Sequence, residues 1–226
     1  MQAALIALSI ATTPAAAFET PSAAAVALAE HVQTGTLLFS EGDCLAVKIF
    51  TGSPYTHVAA IVVEEDKAVV YDSQNGVGVR RLPLDEYLSA TRPDTLHVLQ
   101  PAQSFDEVRR ESFRSHLEEE LGREYAVRHH LTGQRCEGLH CAEYLTDALI
   151  AARLVRADRP PRVSPASLRS GLLRHDLYVV AETLELAATV PDEDSVERGW
   201  CEELWFDTKE CCANCWIGFR RRVFCR

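Results

Sequence analysis

The sequence predicts an α+β domain, and three observations predict it. Its apolar residues fall first into short β-branched runs, then into helical spacing, and last into one more β-branched run. Strands followed by helices, without regular alternation, argue against a doubly wound sheet. With 226 residues, 47% of them hydrophobic and 25% charged, the chain can build a core of ordinary size.

The strands come first. "SAAAVALAEHVQ" is a short helix or a loose lead-in, after which "GTLLFS" gives an apolar strand at 36–39 and a polar turn at Glu41–Asp43. "YTHVAAIVV" and "KAVVYDS" are β-branched runs separated by "EED", the pattern of a hairpin. "GVGVRRLPL" supplies a further strand, "LDEYLSA" a short helix, and "TLHVLQP" a strand stopped by proline. From Ser104 the period lengthens. Phe105, Val108, Phe113 and Leu117 mark a helix that Gly122 ends. "HCAEYLTDALIAARLV" is a second helix, with Tyr144, Leu145, Ala148, Leu149 and Ala152 as its apolar stripe. "RADRPPRVSPASL" reads as a Pro-rich surface loop and "DLYVVAETLEL" as a last strand.

The two ends differ from this middle. An apolar run from Ala3 to Ile10 precedes Ala15-Ala16-Ala17, a small-residue pattern suited to cleavage before Phe18, although no Lys or Arg precedes the run. Residues 1–17 are therefore expected to be a signal peptide, and the protein to be secreted or periplasmic. The apolar run is too short to span a bilayer, and no later one is long enough. Five of the eight cysteines, Cys201, Cys211, Cys212, Cys215 and Cys225, crowd into residues 201–226, with Cys44, Cys136 and Cys141 elsewhere. Without histidine or repeated Cys-x-x-Cys knuckles, that tail reads as disulfide-stapled rather than zinc-binding. Its pairing is open, and it offers a surface for a partner protein. A net charge of −10 argues against a nucleic-acid binder.

One constellation carries chemistry. A two-residue loop at Glu64-Glu65 sets His57 directly opposite Asp72, and a four-residue loop sets the two diagonally on one face; a three-residue loop separates them. Cys141 opens the second helix, where backbone amides carry partial positive charge and lower a thiol pKa. A thiolate beside an imidazole is an arrangement for acyl transfer. The histidines His129, His130 and His140 approach Cys136 and Cys141, but their spacing matches no usual zinc pattern, so they are read as loop or helix-surface residues. Glu143 is read as facing away from Cys141 or capping the first turn. No metal or cofactor is expected.

"GTLLFS", "SPYTHVAAIVV", "VVYDS", "GVGVRRLPLDEYL", "HCAEYLTDALIAARL" and "VSPASLRSGLL" follow one another in an order that resembles the circularly permuted papain-like cysteine hydrolases of the NlpC superfamily, in their YiiX/YaeF-like branch. The resemblance covers about residues 35–182. It implies an antiparallel sheet packed against helices, with Cys141 as nucleophile, His57 as base and Asp72 as orienting acid. Tyr55 is then an oxyanion or pocket group, or a packing residue of its strand. Thr36 stands where the family usually has Asp, Asp72 where many relatives have Glu, and Ala142 where Ser is common.

Residues 18–34 are on this reading a lead-in, and 183–226 an acidic linker with the Cys-rich tail. The activity implied is hydrolysis of an amide or peptide through a thioester, cell-wall peptides being candidate substrates. A lipid acyltransferase or thioesterase acting on an acylated small molecule, and a non-enzymatic disulfide-rich binding module, are the alternatives.

Overall fold

In the computed structural model the structure describes residues 15–41, 53–126, 133–135 and 137–186. Cys44, Cys136, His129, His130, the first 14 residues and the Cys-rich tail lie outside them. The seven strands are β1 (Ala16–Phe18), β2 (Leu37–Glu41), β3 (Tyr55–Glu64), β4 (Lys67–Gln74), β5 (Gly78–Pro83), β6 (Thr95–Pro101) and β7 (Tyr178–Leu186). They form one sheet in the order β1-β7-β6-β2-β3-β4-β5. Every neighbouring pair is antiparallel except β1 with β7, which is parallel. The sheet is thus mixed, not purely antiparallel as expected. The short β1 straddles the expected cleavage point, and β7 runs on past residue 182.

Helices cover both faces. α1 (Pro21–Ala29) and α2 (Leu84–Thr91) pack one face on Leu38, Ala59, Ile61, Val70 and Val98. α3 (Glu107–Glu119), α4 (Cys141–Ala151) and α5 (Pro165–Arg174) pack the other on Leu37, Phe39, Val58, Ala60 and Tyr71. This double burial explains why "LLF" and "VAAIVV" read as unbroken apolar runs rather than alternating ones. Val108, expected on the stripe of α3, is 73% exposed. It lies five residues before Phe113, which turns it about 140° away around the helix. Phe105 precedes the helix and meets Phe113 edge-on at 5.6 Å.

α4 is the buried helix. Every residue from Cys141 to Leu149 is buried, Glu143, Thr146 and Asp147 included. Its polar groups are tied down: Tyr144 donates its hydroxyl to Leu117 O at 2.7 Å, and Arg135 forks onto Asp147 at 2.6 and 2.7 Å. Fully burying Leu145 and Leu149 stabilises the fold by about 1.5–3 kcal/mol each. Among the described residues no helix is long and apolar enough to cross a membrane.

Candidate active site

The β3–β4 hairpin turns on two residues, Glu65 and Asp66, with φ of 48° and 62°, and Glu64 pairs with Lys67. Positive φ at both positions is the primed turn that suits the twist of a tight hairpin. The loop is therefore one position later than Glu64-Glu65, and His57 and Asp72 stand diagonally on one face. The ladder between the strands stops at Ala60↔Tyr71, although β3 reaches back to Tyr55 and β4 forward to Gln74. Beyond that point the strands part. His57 also follows an irregularity in the β2–β3 register, where Ser40 pairs with His57 and Glu41 with Tyr55.

The N-terminus of α4 is delivered to this parting. Ser73, on the α4 side of β4, donates its hydroxyl to Leu139 O at 2.7 Å, and Leu139 N–H bonds Glu124 O at 2.9 Å. A side chain at Gly138 would begin 2.6 Å from Glu124 O and 2.7 Å from Ala126 Cβ, so only glycine lets these segments close. His140 is the N-cap of α4. Its Nδ1 accepts from Glu143 N–H at 3.3 Å, and its Nε2–H donates to Pro161 O at 2.9 Å. It is 4% exposed, a buried structural group rather than the loop or surface residue expected. Glu143 is fully buried too, beside that cap and not turned out to solvent.

The three residues expected to act together are brought together. His57 Nε2 lies 3.1 Å from Asp72 Oδ2, and Cys141 is near enough to the His57 ring to act on its charge. Asp72 is 1% exposed, and Arg80 donates from Nε to its Oδ1 at 2.8 Å. Arg80 also bonds the amide oxygen of Gln74, which fixes the guanidinium. Sequence reasoning missed Arg80. Its position directly across the β4–β5 ladder from Asp72 is the signal that would have found it.

Electrostatics follow from this packing. Burial alone would push the Cys141 thiol up, but the positive charge on His57, the neighbouring His140 imidazole and the contact with His57 outweigh it and bring the pKa down to about 6. Burial would likewise push His57 down, yet the Cys141 charge and the Asp72 hydrogen bond raise it to about 10. Burial would also raise Asp72, and its bonds to His57 and Arg80 instead hold the carboxyl below the usual range. Between those limits the stable form is a thiolate–imidazolium pair beside an ionised carboxylate. Cys141 is a free thiol. A cleft of about 160 Å³, walled by Ser40, Thr56 and His57 on the sheet and by Thr91, Arg92 and Asp94 at the end of α2 and just beyond it, opens onto the imidazole.

Tyr55 packs as a strand residue, edge-on to Phe39 at 6.3 Å and to His97 at 5.2 Å, with the Arg169 guanidinium 4.7 Å over its ring. Among the described residues no cluster of three or more His, Cys, Asp or Glu side chains could hold a metal ion.

No family model matches the chain, and no curated protein matches it. Among solved structures it is similar to the metalloprotein yiiX of Escherichia coli O157:H7, at 16% identity and a TM-score of 0.47, over 69% of this chain and 89% of that one.

Proposed function

We propose that this chain is a cysteine-dependent amide or peptide hydrolase on a circularly permuted papain-like scaffold, with Cys141 as nucleophile, His57 as acid and base, and Asp72 as the orienting carboxylate. One observation carries the reading. At the parting of β3 and β4, an imidazole bound to a buried carboxylate meets a free thiol on the first residue of a buried helix. Nε2 of His57 is committed to Asp72, so Nδ1 is the nitrogen left for sulfur.

The steps balance as follows. The Cys141 thiolate adds to the carbonyl carbon, and the carbonyl oxygen takes the negative charge. The first amides of α4, on Cys141 and Ala142, precede the intrahelical ladder and are the donors suited to that oxyanion. As the C–N bond breaks, His57 Nδ1–H gives its proton to the leaving amine and a thioester remains. His57 then takes a proton from water as the water attacks the thioester, the thiolate departs, and the acid is released. The signal-like N-terminus and the cysteine-rich C-terminus favour an oxidising compartment, where cell-wall peptides are candidate substrates.

The test is the pH dependence of Cys141 alkylation by iodoacetamide, followed on the Cys141 peptide by mass spectrometry so that other cysteines do not intrude. The rate is expected to rise through pH about 6. A rise only near the ordinary thiol value of about 8.5 would sink the proposal.

A further inference from the structure

We propose that Arg169, stacked on Tyr55 beside the nucleophile helix, anchors a subsite for a substrate carboxylate. The inference rests on the hydrolase reading and narrows its substrates to amides that carry an anionic group near the scissile bond.

Two arginines that pack on the site's elements are matched to carboxylates. Arg80 forks onto Asp72, and Arg135 forks onto Asp147. Arg169 is not. Among the described residues it forms no ion pair, and its Nε is buried without a hydrogen-bond partner. The chain has 33 acidic against 23 basic residues, so carboxylates are plentiful, yet none is supplied here. A buried guanidinium N–H without an acceptor is a cost that native folds rarely carry, and the two Nη groups, neither buried nor bonded among the described residues, are the donors an anion can reach. The ring beneath holds the cation by its π-face but uses none of its five N–H donors.

The platform is rigid and well placed. Tyr55 is clamped edge-on between Phe39 and His97, with interplanar angles of 77° and 74°. It opens β3 two residues before His57. α5, which carries Arg169, packs on β3 and α4, the elements that bear His57 and Cys141. A guanidinium held over a ring by its charge keeps its N–H donors for a planar carboxylate, which it can take on two parallel hydrogen bonds.

The experiment uses the full chain and matched chloroacetamide probes, the N-chloroacetyl derivatives of glycine, β-alanine and γ-aminobutyrate, each with its primary amide. The readout is the ratio of second-order rate constants, carboxylate over amide, for alkylation of Cys141. Because imidazolium attracts every anion, the wild-type ratio is compared with that of Arg169→Gln. At one spacing the wild-type ratio is expected to exceed the variant's about tenfold, with Arg169→Lys between them. Equal ratios in wild type and Arg169→Gln at every spacing would overturn the subsite. A matched phosphonate probe reacting ten times faster than the carboxylate would overturn the carboxylate assignment in favour of phosphate. A Cys141 with an ordinary thiol profile would defeat the hydrolase reading separately, since the ratio still reports on Arg169.

Discussion

Among the described residues the sheet carries two imidazole–carboxylate pairs, and only one sits beside a thiol. His57 Nε2 meets Asp72 at 3.1 Å, and His97 Nε2 meets Glu41 at 2.9 Å. By distance alone the second is the better pair. Their surroundings differ in two respects. Asp72 is 1% exposed and gripped by Arg80, whereas Glu41 is 34% exposed. Both nitrogens of His97 are in use, because Nδ1 lies 3.2 Å from Thr183 Oγ1, whereas His57 has Cys141 as a second neighbour that acts on its charge. An imidazole bound to an acid is thus common structural cement. On the proposed reading, what turns such a pair to chemistry is a spare nitrogen, a carboxylate kept ionised away from water, and a thiol delivered by another element.

The sharpest way to break that comparison is to remove each histidine in turn. His57→Ala takes away the charge that outweighs burial of the sulfur, so the Cys141 pKa is expected to climb from about 6 to the ordinary thiol value or above. Hydrolysis of a responsive amide should fall by about 10²–10⁴-fold, the usual loss with an acid–base group. His97→Ala should leave the alkylation midpoint of Cys141 where it is. The pairs would be equivalent, and the distinction drawn here wrong, if both variants moved that midpoint alike.

Much of this site is legible in the sequence because its parts obey local rules. The β-branched runs and the helix opened by Cys141 follow from period, and an even-length turn would put His57 and Asp72 on one face. The turn itself did not announce its length, since Glu65-Asp66 holds two left-handed conformations without the glycine or asparagine that would mark them. Burial of His140 and Glu143 is not visible either. A polar-apolar pattern reports one face of a helix, and α4 is covered all round by α3, α5 and the sheet. Arg80 was within reach, since it lies eight residues from Asp72 in one hairpin, but the β4–β5 register has to be read to find it. Arg169 depends on which helix becomes a neighbour of β3, a long-range fact that no window of residues contains.

A smaller effect separates the two carboxylates. Asp72→Ala strands the Arg80 charge in a half-buried position, and breaking such a pair from one side costs about 3–5 kcal/mol. Glu41→Ala removes an acid that is about a third exposed, for which the expected cost is below about 1 kcal/mol. Urea unfolding of both variants reads the difference directly. Similar midpoints would mean that burial of Asp72 is not what distinguishes the pairs.

The least effect, and the most specific, concerns Arg80. Asp72 has its carboxyl pKa depressed in the fold, so it contributes stability that is present above its unfolded value of about 4 and lost as pH falls through the lower folded value. Two bonds produce the depression, one from His57 and one from Arg80. In Arg80→Met only the first remains, and the folded pKa should move back toward the ordinary carboxylate range. The acid limb of stability, followed by circular dichroism from pH 7 to pH 2, should then shift to higher pH. At neutral pH Asp72 remains ionised in this variant, so the imidazolium keeps its counter-charge and Cys141 should still alkylate with a depressed midpoint. An unchanged acid limb would assign Arg80 to packing alone. A Cys141 midpoint restored to the ordinary thiol value would instead mean that the guanidinium, by aiming the carboxylate, sets the geometry on which the thiolate–imidazolium pair depends.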